Sequence, residues 1–259
     1  MDDRLRAREH LLWLARTVAQ REMGAAGGIA VLDDRTPRLW DANHVIATAP
    51  QGLDARALAD GCTRVTAEIG LGHRMVAIPD EAEAARLAAG FEALHWDLDR
   101  HLVMALRRPP DRESPDDVDV RELRFPALKG PRRRMLLAEP WGGPDVAEQV
   151  LLRDRLIADR VEDRGFAAFV DRRPVAFCRL IAANGVGQVE DVATLAEHRN
   201  RGLARAVVLA AVGASRDAGH DLTIVVADAD DWPRRLYARL GFDDLSIVHR
   251  WRIALGAGE

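Results

Sequence analysis

The sequence predicts a mixed α/β protein built in two parts. Short apolar or β-branched runs alternate along the chain with longer runs whose apolar residues recur at helical spacing. A proline-rich, charged segment, Arg107–Asp119 (RRPPDRESPDDVD), has almost no apolar residues and interrupts this alternation, as a linker does. We therefore expect an α/β (α+β) fold with a mixed sheet, and a domain boundary that separates residues 1–110 from residues 111–259.

The first part is predicted to contain three helices and four strands. An amphipathic run from Arg4 to Met23 predicts the first helix, and the glycine-rich stretch Gly24–Gly28 ends it. The other elements are strands at 29–32 and 44–47, a helix at 54–68, a strand at 74–78, a helix at 81–94 and a strand at 102–106.

The second part is predicted to continue with three antiparallel strands followed by helix, strand, helix and strand. The turn Asp171–Pro174 joins two of the strands as a hairpin, and Gly219 ends the long helix after them. The predicted elements are a strand at 120–125, a helix at 145–160, strands at 166–170, 175–181 and 189–195, a helix at 203–218, a strand at 223–227, a helix at 232–240 and a strand at 245–253.

Composition narrows the class of protein. The chain has 259 residues, 48% hydrophobic and 30% charged, which is typical of a globular protein, and a net charge of -4 disfavours a uniformly basic nucleic-acid-binding surface. No apolar run approaches the roughly 20 residues of a membrane span, and no secretory signal core is visible, so we expect a cytoplasmic protein. Cys62 and Cys178 cannot form a disulfide framework; we expect two buried thiols and no metal site.

An anion site is suggested where the strand ending near Leu195 passes into the helix that begins at Leu203. The junction reads Arg199-Asn200-Arg201-Gly202-Leu203-Ala204. A helix N-terminus offers unpaired N–H groups, Gly202 allows close backbone approach, and the arginines add charge-assisted hydrogen bonds. On its own the turn is equally a solvated helix start in an arginine-rich chain. It is neither a Walker loop nor a dinucleotide fingerprint.

A second segment, Asp230–Phe242 (DDWPRRLYARLGF), follows one helix and one strand later. Together the two segments resemble the GNAT acyltransferase superfamily, in which an R/QxxGxG/A turn binds the pyrophosphate of acyl-coenzyme A and an N..A..LY..LGF segment follows the next strand. Asp230 stands at the usual asparagine and Pro233 at the usual alanine. The resemblance implies a GNAT fold for the second part.

The resemblance also implies roles for individual residues. The strand segment Val192, Ala193 and Thr194 would splay from the strand near Val225 and pair with pantetheine amides. The backbone of Arg199, Asn200, Arg201, Gly202, Leu203 and Ala204 would cradle pyrophosphate, and Asp230 would lie at the cofactor. Tyr237, the only tyrosine, would protonate the departing thiolate as a general acid. The competing interpretation is that Tyr237 is merely a packed aromatic residue.

The general base is expected at Glu190 or Asp191, at the head of the cofactor strand. Because neighbouring strand residues point to opposite faces, only one of the two should face the site, and we favour Glu190. The alternative is that both carboxylates are solvated or paired with arginine. Cys178, within an apolar run, and His198, beside the turn, are weaker catalytic candidates. No GxSxG or HExxH motif is present.

The first part echoes the second. Ala49-Pro50-Gln51-Gly52-Leu53-Asp54-Ala55 stands where the phosphate turn would be, but it lacks the arginine pair and Asp54 would repel phosphate. We therefore predict a tandem protein whose residues 1–110 form a degenerate GNAT-like half; an unrelated α/β cap is the alternative.

Taken together, these features predict an acetyl-coenzyme-A-dependent N-acetyltransferase. We expect direct transfer to a primary amine of a small molecule or peptide, with the acceptor site formed by residues 120–160 and the first part. The alternative is a non-catalytic acyl-CoA-binding sensor or interaction module. No nucleic-acid or membrane partner is expected, and the sequence leaves a homodimer open.

Overall fold

The computed structural model describes residues 2–115 and 117–255, which form two compact units. The first unit comprises the described residues of Met1–His10, Val103–Ala227 and Asp231–Leu245. The second comprises those of Leu11–Leu102, Asp228–Asp230 and Ser246–Glu259. Each unit is therefore assembled from segments that are distant in sequence.

The elements alternate between helices and strands over most of the chain. The helices are α1 Asp3–Val18, α2 Ala55–Ala67, α3 Glu81–Ala93, α4 Phe125–Ala138, α5 Pro144–Arg160, α6 Leu203–Asp217 and α7 Pro233–Arg239. The strands are β1 Arg21–Ala25, β2 Gly28–Leu32, β3 His44–Ile46, β4 His73–Ile78, β5 Asp97–Leu106, β6 Asp119–Leu123, β7 Glu162–Val170, β8 Arg173–Ala183, β9 Val186–Thr194, β10 Leu222–Asp228 and β11 Phe242–Ala254.

In the first unit the strands lie in the order β6-β7-β8-β9-β10. The first three pairings are antiparallel, and β9 pairs with β10 in parallel because α6 carries the chain back across the sheet. Helix α6 packs against β7, β8 and β9 through an apolar face that includes Leu203, Val207 and Ala211. Helices α4 and α5 pack against each other.

In the second unit the strands lie in the order β1-β2-β3-β4-β11. Here β3 and β4 are parallel and joined through α2, while the other pairings are antiparallel. The residues of β11 beyond Leu245 pair with β4, from His249↔Ile78 to Ala254↔His73. Trp251 of this strand is 1% exposed and stacks on Phe91 with the ring centroids 5.2 Å apart. The C-terminal segment is thus part of this unit's core.

The mixed α/β fold is confirmed, and the predicted elements are present with small changes at their ends. Three differences are larger. The predicted first helix ends at Val18, and Arg21–Ala25 forms strand β1 paired with β2. Helix α4 was not predicted, since Gly130 and Pro131 lie within it. The strand predicted at 120–125, β6, pairs antiparallel with β7, so the antiparallel run before α6 has four strands and not three.

The two compact units are not separated by a single division of the chain near residue 110. Residues 2–10 of the first predicted part pack in the first unit, and residues 246–255 pack in the second. The division into an accessory domain of residues 1–110 and a catalytic domain of residues 111–259 stays a prediction. Within the described ranges, none of the helices combines the length and the apolar character that a bilayer crossing requires.

Candidate functional site

The two parallel strands of the first unit, β9 and β10, separate at Glu190. Their pairing runs from Leu222↔Val186 to Val225↔Val189, and no further ladder pair joins them among the described residues. The burial of β9 changes at the same point, because residues 186–189 are buried and residues 190–194 are all partly exposed. The second half of β9 is therefore partly exposed and unpaired with β10; the binding role of Val192, Ala193 and Thr194 stays a prediction.

A bulge in β9 lies at the point where β9 and β10 separate. The register with β8 shifts between Phe177 and Arg179, which leaves Asp191 and Val192 opposite Cys178. Asp191 has a φ of 56°, in the left-handed region that a non-glycine residue rarely occupies. A bulge bends its strand and re-aims the side chains beside it. At this bulge the adjacent carboxylates of Glu190 and Asp191 contact different partners.

The turn before α6 has the geometry of an anion site. Asn200 and Gly202 have φ angles of 61° and 78°, while Arg201 between them does not have a positive φ; such alternation turns successive N–H groups to one side. Gly202 is the residue at the N-terminal cap of α6, and no side chain caps the helix there. The N–H groups of the first turn, including Leu203 and Ala204, are thus available to a bound anion.

The side chains of the turn tie it to the end of β9. Arg199 Nε donates to the carbonyl oxygen of Thr194 at 3.3 Å, and Arg201 Nη1 lies 3.2 Å from His198 Nδ1. Arg201 is exposed, so its charge can reach a ligand. The Thr194 hydroxyl is buried and has no hydrogen-bond partner among the described residues. An unpaired buried hydroxyl is costly, and an amide from a ligand would satisfy it.

Glu190 is hydrogen-bonded, and its pKa is raised. Gln188 Nε2 donates a short hydrogen bond to Glu190 Oε1, and the backbone N–H of Asp191 also donates to the carboxylate. Burial, and next the negative charge of Asp191, raise the pKa of Glu190 to about 7. A carboxylate with a pKa near neutrality is well matched to proton transfer at cellular pH.

Tyr237 lies on α7 close enough to Glu190 for their charges to interact. It is 6% exposed, and its ring meets the edge of Phe242 with the centroids 6.2 Å apart. Burial raises the pKa of Tyr237 above its ordinary value, and the charges of Glu190, Cys178 and Asp191 raise it further. The phenol therefore keeps its proton at neutral pH.

Asp191 is engaged in a buried cluster of ions, which makes it unsuitable as the base. Arg132 Nη2 contacts one of its carboxylate oxygens at 2.5 Å, and Arg179 Nη1 contacts the other at 3.0 Å. Burial acts to raise the pKa of Asp191, but the two arginines outweigh it and hold the pKa below its ordinary value. A carboxylate paired in this way has little tendency to accept a proton.

Two further sequence candidates lie in other surroundings. Cys178 is fully buried, its thiol contacts the carbonyl oxygen of Val207 at 3.2 Å, and burial raises its pKa, so it is no nucleophile. Cys62 is also buried, as predicted. Asp230 belongs to the second unit, where its carboxylate is bound by Arg100. Its role toward a cofactor stays a prediction.

Sequence reasoning missed the ion cluster behind β9, which consists of Arg132, Asp154, Asp163, Arg179 and Asp191. Two signals were present. Arg179 interrupts the apolar run VAFCRLI, and Asp154 shares a helical face with Ala147, Leu151 and Ile157. Charges at such inward positions indicate a buried ionic partner. In residues 2–115 and 117–255, no group of three or more metal-binding side chains is present.

Comparison with known proteins agrees with the fold. Residues 130–242 match the model of the acetyltransferase (GNAT) family. No curated protein sequence matches the chain.

Solved structures show the same fold over most of the chain. One is a functionally unknown conserved protein from Staphylococcus epidermidis, with a TM-score of 0.69 at 15% identity over 91% of this chain and 94% of the other. A GCN5-related N-acetyltransferase from Kribbella flavida has a TM-score of 0.58 at 18% identity over 96% and 94%. A tandem GNAT protein from the clavulanic acid biosynthesis pathway has a TM-score of 0.58 at 14% identity over 79% and 70%.

Proposed function

We propose that the chain is an N-acetyltransferase, because residues 130–242 match the acetyltransferase (GNAT) family and the fold is like that of a tandem GNAT protein. It takes an acetyl group from acetyl-coenzyme A and transfers it directly to a primary amine of a small molecule or peptide. The transfer takes place in the first unit, and we place the enzyme in the cytoplasm.

One observation carries the proposal. Strands β9 and β10 part at Glu190, in the same nine-residue strand that leads to the uncapped N-terminus of α6. Open strand groups suit the amides of pantetheine, and an uncapped helix N-terminus suits pyrophosphate. The two features lie in the order that coenzyme A requires, with the phosphates at the turn and the thiol end toward Glu190.

The residues of this site support a direct transfer. Glu190 takes a proton from the ammonium form of the acceptor, so that the amine nitrogen can attack the acetyl carbonyl carbon. The carbon–nitrogen bond forms, the carbon–sulfur bond breaks, and Tyr237 gives its proton to the departing thiolate. The nitrogen then loses its remaining surplus proton, which restores the Tyr237 phenol and leaves a neutral amide. A covalent acetyl-cysteine is not part of this proposal, because the Cys178 thiol is buried with a raised pKa.

The acceptor is proposed only by class. A net charge of -4 favours a cationic amine over an anionic one. Fold alone does not name a substrate, since one fold supports many specificities. A panel of small cationic amines and basic peptides is therefore the appropriate first screen.

The first experiment is isothermal titration of the purified protein with acetyl-coenzyme A, followed by the amine panel with release of free thiol as the readout. Tyr237→Phe should lower turnover by about 10²-fold or more while the Kd for acetyl-coenzyme A stays unchanged. Unchanged turnover would remove Tyr237 from the acid role. A wild type that does not bind acetyl-coenzyme A would sink the whole proposal.

The alternative is a non-catalytic sensor that binds acyl-coenzyme A. It predicts tight binding, no thiol release with any amine, and no effect of Tyr237→Phe on any readout. The near-neutral pKa of Glu190 favours the enzyme, because a sensor has no use for a carboxylate poised to exchange protons.

A further inference from the structure

The ion cluster behind β9 links this strand to four other elements of the first unit, which are α4, α5, β7 and β8. Arg179 on β8 is 2% exposed and contacts Asp154 on α5 at 2.8 Å and Asp163 on β7 at 2.9 Å. Arg132 on α4 contacts Asp154 at 3.1 Å. Both arginines meet at Asp191, one on each carboxylate oxygen.

The cluster fixes Asp191 in a conformation that it would not adopt unaided. A φ of 56° is unfavourable for a residue with a side chain, and the surrounding contacts must hold it there. The backbone N–H of Asp191 donates to the Glu190 carboxylate, so the clamp on Asp191 reaches Glu190 by a direct hydrogen bond.

We propose that Arg132, Arg179 and Asp191 are positioning residues that hold Glu190 at the parting of β9 and β10 and set the charge that it faces. This inference rests on the proposed function, in which Glu190 is the base. The three residues act through Glu190 and do not themselves touch the substrate.

The charged groups around Glu190 come from several elements. Asp191 lies beside it on β9, Arg179 faces it from β8, and Tyr237 faces it from α7, with neutral Gln188 as its hydrogen-bond donor. Arg132 acts on it through Asp191. Asp191 raises the pKa of Glu190 and Arg179 lowers it, so the balance of the cluster decides how readily Glu190 accepts a proton.

Substitutions in the cluster should shift the titration midpoint of Glu190 in both directions. Asp191→Asn removes the negative charge next to Glu190 but keeps the backbone N–H that donates to it, so the titration midpoint of Glu190 should fall by about one pH unit. Arg132→Gln removes a positive charge that neutralises Asp191, so the midpoint should rise. Arg132→Lys keeps the charge and should leave the midpoint close to that of the wild type.

The measurement is a pH titration of the folded protein labelled with glutamate whose side-chain carboxyl carbon is ¹³C. The resonance that disappears in Glu190→Gln identifies Glu190. Circular dichroism establishes that each variant is folded. Since no acceptor is needed, the titration does not depend on turnover.

Opposite shifts in Asp191→Asn and Arg132→Gln, with little shift in Arg132→Lys, would support the proposal. It would be overturned by midpoints that do not move or move the same way, or by Arg132→Lys shifting as far as Arg132→Gln. If Asp191→Asn does not fold, the two Arg132 variants decide alone, because that side chain is less buried than Arg179. Failure of the proposed function would show separately, as turnover that survives Glu190→Gln.

Discussion

Each unit contains two parallel strands joined through a helix, β9–α6–β10 in the first and β3–α2–β4 in the second, and their helix N-termini differ. Helix α6 begins after Gly202 without a side-chain cap. Helix α2 begins after Asp54, whose carboxylate accepts a hydrogen bond from the N–H of Ala57 at 2.8 Å. The second helix therefore satisfies part of its own N-terminus with a negative charge, which an incoming phosphate would have to displace.

The strand ends differ as well. Beyond β3, Ala47 is fully buried, and its N–H donates to the carbonyl oxygen of Ala77 in the neighbouring strand segment at 2.8 Å. In β9 the corresponding stretch from Glu190 is partly exposed and unpaired with β10. We therefore propose that this arrangement of strands and helix binds a ligand only where its helix is uncapped and its strands separate. This difference is why we assign the site to the first unit alone.

The largest expected effect tests the strand ends. Ala47→Asn should lower the free energy of unfolding by about 3 kcal/mol, because it buries an amide without a partner in a filled space. Val192→Asn, in the partly exposed stretch of β9, should cost less than about 1 kcal/mol. Urea unfolding of both variants measures the contrast. Equal losses would mean that the two strand ends are equally packed.

The next effect tests how much stability the folded protein loses through Glu190, at the exposed end of β9. The pKa of Glu190 is about 7 in the folded protein and about 4.3 in an unfolded chain, so the folded state loses stability as the pH rises from 4 through 7. Glu190→Gln should therefore stabilise the protein above pH 7, on the order of 1–2 kcal/mol, and hardly at all near pH 4.

Thermal unfolding at pH 8 and at pH 5 checks this sign. The gain in Tm from Glu190→Gln should be larger at pH 8 than at pH 5, and the exposed Glu197→Gln is measured alongside as the control. A gain confined to pH 5 would contradict the raised pKa.

A smaller effect compares the two helix N-termini as anion sites. Arg201→Glu reverses a charge at the open turn and should weaken acetyl-coenzyme A binding about tenfold or more. Arg56→Glu, on the exposed first turn of α2, should leave the Kd unchanged. Isothermal titration measures both. Equal weakening by both variants would argue against a single site in the first unit.

Arg201 is a better position for this test than Gly202. A side chain at Gly202 would be strained by the φ of 78°, and its Cβ would lie 2.8 Å from the ring of Pro115. Loss of binding in a Gly202 variant would then reflect a distorted turn as much as a blocked phosphate.

The smallest effect concerns the cap itself. Asp54→Ala should lower the free energy of unfolding by about 1 kcal/mol, as the loss of an N-cap does, without changing acetyl-coenzyme A binding. Chemical unfolding and titration of the same sample measure both quantities. A gain of a second binding site in this variant would show that the cap alone keeps α2 from binding the cofactor.

The order of elements, the mixed α/β class and the two motif segments could be predicted from the sequence. They depend on local signals: apolar periodicity, glycine and proline at turns, and a glycine beside arginines at a helix start. The burial of the two cysteine thiols was likewise predicted from the apolar residues around them in the sequence. Helix α4 was missed because Gly130 and Pro131 locally oppose a helix, while tertiary packing of Leu128 and Met135 supports one.

Only the tertiary structure decided the chemistry at Glu190 and Asp191. In sequence the two carboxylates are adjacent and alike; in the fold, the bulge sends Asp191 to Arg132 and Arg179 and leaves Glu190 with Gln188 and a pKa near 7. The placement of β11 beside β4 was equally beyond the sequence. Both depend on residues far apart in the chain, and pairing and burial between such residues leave no local pattern to read.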